Sequence, residues 1–137
     1  MDSSDLTLRP IGRVRSELRT RDEAPRQGDE GAPDAWLELE PGVLAGLDGI
    51  TLGDELVVLT WFHQARREVL TVHPRGDPAR ALSGVFATRS PDRPNPIGLH
   101  RVSVKALAGG RIQVGPLEAI DGTPVLDLKP VLGAGER

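Results

Sequence analysis

The chain has 137 residues, enough for one domain that buries a core without covalent staples. It contains no cysteine, which excludes disulfides, thiolate nucleophiles and cysteine-based zinc sites. Its net charge of −3 argues against a generic polyanion binder, and no apolar run approaches the roughly 20 residues needed to span a bilayer.

The elements follow in chain order. The opening MDSSDLTLRP has neither the basic start nor the apolar stretch of a signal peptide, so a cytoplasmic protein is expected. Residues 8–16 read as a strand with Ile11 and Val14 as apolar points. Residues 19–33, polar and broken by Pro25, Gly28, Gly31 and Pro33, read as a loop. Residues 36–40 read as a strand, and 41–47 as one or two helical turns with Pro41 at an allowed first position. Residues 55–62 (ELVVLTWF) are the strongest strand, and their continuous apolar run predicts cover on both faces.

Residues 68–73 (EVLTVH) are predicted to be the neighbour of that strand, across an HQARR turn. Residues 84–88 are predicted as strand. Residues 97–107 alternate, with His100, Val102, Val104 and Ala106 on one side. Gly109-Gly110 suits a tight hairpin into 111–114. Residues 117–120 and 125–128 complete the set, and 131–137 are expected to fray.

Sixteen glycines and twelve prolines punctuate this pattern, with strands about ten residues apart and no long helix. The expectation is a mostly all-β fold: one small β-barrel with short helical turns, spanning residues 1–137 with a core over 8–130. There is no GxGxxG for a Rossmann-type site. His63, His73 and His100 lack HxH or HxxxH spacing, so no metal is expected.

Charge is uneven along the chain. Residues 1–65 carry 13 acidic and 6 basic side chains, whereas 66–135 carry 6 and 10. A local basic face can attract phosphates on an acidic protein. Arg66, Arg67, Arg75 and Arg80 are the candidates for it.

Two dense loops carry the candidate chemistry. In ATRSPDRPNPIG, three prolines within six residues stiffen the chain around Arg89, Asp92, Arg93 and Asn95. Such a loop either holds forked Arg donors for a carboxylate or phosphate, or is a structural turn closed by an internal Asp92–Arg ion pair. In DGTPVLDLKP, Asp121-Gly122 makes a tight turn, and Asp127 and Lys129 project from one face of a short strand. That pair either binds substrate or forms a salt bridge. Asp121 is a candidate ligand for hydroxyl or ammonium groups and a candidate proton acceptor. His63, at a strand end, is a second candidate acceptor, and Pro25-Arg26-Gln27 can reach a ligand.

VFATRSPDRPNPIGLHRV followed by LEAIDGTPVLDLKP resembles the paired signature of the TsaA-like, TrmO-type family. IGRVRS, PRQ at 25–27 and WFH at 61–63 also fall where that family has related segments, so the resemblance covers residues 8–130. It implies a β-barrel that binds S-adenosyl-L-methionine near a homodimer interface. It also implies methylation of N6 of N6-threonylcarbamoyladenosine at tRNA position 37. By residue match it implies cofactor contacts from Pro25, Arg26, Gln27, His63, Gln64, Arg89, Leu99, Ala119, Ile120, Asp121 and Gly122. Arg93, Asn95, Asp127 and Lys129 are the candidates toward the substrate, and Asp121 or His63 toward its proton.

The sequence departs from the family in one residue that bears on the tRNA contact: Val131 stands where members commonly have tyrosine. Longer members also carry a further C-terminal domain. A small-molecule acceptor, or a binding module without catalysis, are the other functions compatible with these residues.

Overall fold

The structure, a computed structural model, describes residues 6–133; the first five residues and the end of the tail expected to fray, 134–137, lie outside them. The strands are β1 (Gly12–Arg15), β2 (Ala35–Leu39), β3 (Glu55–Trp61), β4 (Thr71–Val72), β5 (Ser83–Gly84), β6 (Ile97–Ala108), β7 (Arg111–Gly115) and β8 (Pro124–Pro130). Six of them hydrogen-bond in the order β1-β2-β7-β6-β3-β8, and β8 pairs back onto β1, so the sheet is a closed barrel. Closure leaves no long edge exposed. All pairings are antiparallel.

Alternation explains the core. On β6, His100, Val102 and Val104 point inward while Leu99, Arg101 and Lys105 point out. Leu56, Val58 and Thr60 of β3 meet them, with Val14, Leu37, Ile112, Val114 and Val125 from the other strands. Burying each such aliphatic side chain contributes roughly 1.5–3 kcal/mol. The continuous apolar run of β3 predicts burial on both faces. The inward face is buried, whereas Val57, Leu59 and Trp61 are only half-buried. The Gly109-Gly110 hairpin joins β6 to β7 as expected, with Ala108 opposite Arg111.

Three expected strands differ. Residues 68–73 do not pair with β3, because β6 and β8 already occupy both of its edges. Only Thr71–Val72 is strand, paired with Ser83–Gly84 in a separate two-stranded ribbon. Residues 85–87 form a 3-10 turn instead of continuing that strand, closed by Thr88, whose amide and hydroxyl both donate to the Val85 carbonyl. Residues 117–120 are not strand either. The amides of Leu117 and Asp121 donate to the carbonyls of Pro33 and Leu18, at 3.0 and 2.7 Å, and leave the segment lying over the barrel with Leu117, Ala119 and Ile120 buried. The 41–47 turns are 3-10 with Pro41 leading. Among the described residues no helix is long and apolar enough to cross a membrane.

Candidate active site

At one end of the barrel the long connections converge on a cleft of about 1100 Å³. Its walls come from the β1–β2 loop (Arg21 to Gln27), the chain leaving β3 (Phe62 to Ala65), the small ribbon, the proline-rich loop (Ala87 to Asp92) and the segment after β7 (Glu118 to Ile120). A second cavity of about 380 Å³ adjoins it and shares Gln27, Phe62 and Arg89. Of the two dense loops of the sequence, the proline-rich one faces this space, whereas of DGTPVLDLKP only Thr123 lines it. That size suits a small-molecule ligand.

Asp92 holds the walls together. One of its carboxylate oxygens accepts the Arg66 amide at 2.9 Å, and Arg21 pairs with the carboxylate at 3.1 Å. Arg21 also donates to the Gln64 carbonyl at 3.4 Å, so a single guanidinium ties three segments. Burial pushes the Asp92 carboxyl up, but the Arg66 amide and the Arg21 guanidinium together outweigh it and leave it below the usual carboxylate value. The proline-rich loop is thus closed by an ion pair, but to Arg21 in another loop and not to an arginine of its own.

Arg93 is spent within the loop. Its Nη1 donates to the carbonyls of Thr88 and Ser90, both at 3.0 Å, and so fixes the backbone on either side of Arg89. Arg89 itself, and Arg26 across the cleft, have no hydrogen-bond or ion-pair partner among the described residues. Two unpaired guanidinium groups in one cleft are forked donors available to an anion.

The cofactor candidates divide by position. Pro25, Arg26, Gln27, His63, Gln64, Arg89, Ala119 and Ile120 line the main cleft. Leu99 lines the smaller cavity with Arg93 and Asn95. Asp121 and Gly122 line neither. Asp121 turns away from the cleft: its Oδ1 accepts the Ser16 amide at 3.0 Å and its Oδ2 lies 3.4 Å from Arg19. Gly122 adopts φ 84, the left-handed conformation a tight turn requires, which glycine adopts without strain. Asp127 and Lys129 pair with each other at 3.4 Å on the barrel wall, outside both cavities.

The basic candidates are all engaged. Arg66 pairs with Glu68 at 2.8 Å, Arg75 with Glu30, and Arg80 with Asp77 at 4.0 Å. Arg67 donates to Pro94 and Asn95 and lies over the Trp61 ring, 5.1 Å from its centroid.

Sequence reasoning missed Glu118, which lines the cleft, and the buried His100 behind it. The signal was present: a histidine at an inward position of an alternating strand needs a polar partner, and Glu118 is the one charge in an apolar stretch.

The comparisons agree with this architecture. The profile of the tRNA-methyltransferase O N-terminal domain matches residues 13–134. A probable S-adenosyl-L-methionine-binding protein of Methanothermobacter thermautotrophicus is 42% identical over 130 residues, covering 95% of this chain and 93% of its own length. An S-adenosyl-L-methionine-binding protein of Archaeoglobus fulgidus is 40% identical over 124 residues, covering 90% and 88%. The crystal structure of TrmO from P. aeruginosa superposes with a TM-score of 0.74 at 33% identity, covering 96% of this chain but 56% of that one. The chain thus spans little more than half of that larger protein. It belongs to the family of the tRNA-methyltransferase O N-terminal domain.

Proposed function

We propose that the cleft binds S-adenosyl-L-methionine and that the chain methylates N6 of N6-threonylcarbamoyladenosine in tRNA. The observation that carries this reading is the cleft's charge arrangement. Arg26 and Arg89 are unpaired among the described residues, and of the three carboxylates lining the same space Asp92 is held by Arg66 and Arg21, Asp22 is exposed, and Glu118 lines it with the apolar Phe62, Ala119 and Ile120. A ligand with a carboxylate, an ammonium group and a flat nucleoside meets a complement for each. The relatives named as S-adenosyl-L-methionine-binding proteins support the same ligand.

When bound, the cofactor supplies a methyl group on a positively charged sulfur. The chain's own part is to align and to exclude water. Alignment of reacting groups is worth roughly 7–11 kcal/mol. The stiff walls provided by Asp92, Arg21 and Arg93 suit that task. Arg89 holds a carboxylate, either of the cofactor or of the acceptor's threonyl group. Of the two candidate proton acceptors, His63 lines the cleft while Asp121 is engaged outside it, so a ring nitrogen of His63 takes the N6 proton. Arg93 and Asn95 flank the smaller cavity on the acceptor side. We infer that Leu99, 47% exposed beside that cavity, faces a second copy of the chain in a homodimer.

The test is methyl transfer from labelled cofactor to total tRNA, with and without the threonylcarbamoyl modification. Label confined to modified tRNA supports the reading. One observation favours a small-molecule acceptor instead: the four basic candidates for phosphate contact are already paired. Cofactor binding with no transfer to either tRNA pool would turn the choice that way.

A further inference from the structure

Behind the cleft wall lies a chain of three polar side chains that ends on Glu118 and takes no part in the methyl transfer itself. Thr60 Oγ1 lies 2.7 Å from His100 Nε2, and His100 Nδ1 lies 2.5 Å from Glu118 Oε1. Thr60 is fully buried and His100 is 2% exposed, whereas Glu118 keeps 13% of its side chain accessible and lines the cleft.

Hydroxyl, imidazole and carboxylate in this order match a hydrolytic triad. Burial excludes that role. The hydroxyl is enclosed in the barrel against Gly98, where no substrate can reach it. The chain works in the opposite direction, with its buried end as the anchor and its carboxylate end toward a ligand. With His100 neutral, Thr60 donates to Nε2 and Nδ1–H donates to Glu118 Oε1, so every buried polar atom is satisfied. Phe62 packs edge-on against the imidazole, with ring centroids 5.7 Å apart and planes at 87°, and fixes its rotation.

One oxygen of Glu118 is therefore committed. The other, Oε2, has no hydrogen-bond partner among the described residues, and since no buried side-chain oxygen among them lacks one, Oε2 keeps access to solvent on a residue that lines the cleft. The remaining carboxylates around the cleft are placed differently. Asp92 is held by Arg66 and Arg21, and Asp22 is on the exposed rim. Glu118 is thus the oriented acceptor in a cleft otherwise rich in arginine. A carboxylate pinned from behind suits a directional N–H donor more than a diffuse charge.

We propose that Glu118 Oε2 binds the ammonium group of the cofactor's amino-acid end, with His100 and Thr60 as positioning residues. This rests on the reading that the cleft holds S-adenosyl-L-methionine.

Calorimetric titration with three ligands tests it: S-adenosylmethionine, S-adenosylhomocysteine and 5′-methylthioadenosine, which lacks the amino-acid end. Glu118→Gln keeps the shape and the His100 contact. It should weaken the first two by the same factor, roughly tenfold to a hundredfold, and leave the third within about twofold. Glu118→Asp, which withdraws the oxygen by one methylene, should show a smaller loss with the same selectivity, and carries the test if the first variant does not melt cooperatively. Thr60→Val and His100→Gln should reproduce the selectivity at reduced size, which a general loss of packing would not.

Equal weakening of all three ligands would overturn the proposal. So would weakening of S-adenosylmethionine alone, which would assign Glu118 to the sulfonium. Unchanged affinities with lost methyl transfer would also overturn it and make Glu118 a proton acceptor. A wild-type protein that binds none of the three would instead refute the cofactor reading itself.

Discussion

Arg21 and Asp92, 71 positions apart, meet as an ion pair at 3.1 Å and join the β1–β2 loop to the proline-rich loop across the cleft. Both loops are irregular, and neither has a strand partner near this contact. The geometry of the cleft therefore depends on side chains more than on the barrel's ladder.

Replacing Asp92 with Asn should lower stability at neutral pH by on the order of 1 kcal/mol, since the bond from the Arg66 amide weakens and the exposed Arg21 adds little. The folded carboxyl lies below its unfolded value of about 3.9. Its contribution is thus fully present above that value and is lost as pH falls through the folded one. Melting curves should show wild type and Asp92→Asn separated at pH 7 and converging as pH falls below the unfolded carboxyl's value of about 3.9. A constant separation across that range would mean the charge is not what stabilises.

Asp121 is the next case. Its carboxylate accepts the Ser16 amide, and its own amide and that of Gly122 donate to the carbonyls of Leu18 and Val14. Asp121→Asn should cost about 1–2 kcal/mol and weaken cofactor binding indirectly, by loosening Ala119 and Ile120. Turnover at saturating cofactor should stay near wild type, while His63→Ala should reduce it roughly a hundredfold. Turnover falling equally in both would return Asp121 to the role of base.

Arg93→Ala removes two bonds from one guanidinium to the carbonyls flanking Arg89. The expected result is weaker cofactor affinity at nearly unchanged melting temperature, because the loop loses its preorganisation more than the core loses packing. Arg89→Ala should weaken affinity at least as much. If Arg93→Ala binds cofactor as wild type does while Arg89→Ala does not, the loop is held by its prolines alone.

How much of this was legible depends on the range of the interaction. The long strands were readable because alternation and the Gly109-Gly110 turn are local signals. The partner of β3 was not, because an apolar run says nothing about which segments take its edges; β6 and β8 did, and displaced residues 68–73 into a small ribbon. Arg89 was recognisable from its stiff loop. Arg21 was not, because its importance comes from a contact with Asp92 that local sequence does not encode. Asp121 looked like a site residue on chemistry alone, and only the Ser16 amide shows which way it points.

Gly98 tests the barrel's link to the site. It pairs with Thr60, and a Cβ there would overlap Thr60 Oγ1 and the Phe62 ring. Gly98→Ala should therefore destabilise by roughly 1–3 kcal/mol through overpacking. It should also disturb Phe62, which both cavities share. Denaturation and cofactor titration should show both losses together; an intact affinity would mean the strain relaxes into the barrel interior.

The last prediction concerns tRNA. Each phosphate contact steepens the fall of log affinity with log salt by roughly 0.7–0.9. Arg66 is held by Glu68, whose own amide and the Arg66 guanidinium keep its carboxyl below the usual range, so it is ionised and competes with phosphate at assay pH. Glu68→Gln removes that competitor. It should tighten tRNA binding at low salt and steepen the slope by about one contact. Arg67 is different, since its guanidinium is committed to Pro94, Asn95 and the Trp61 face. Arg67→Ala should cost loop order without changing the slope. A slope unmoved by Glu68→Gln would place Arg66 away from the nucleic acid, and would shift weight toward a small-molecule acceptor.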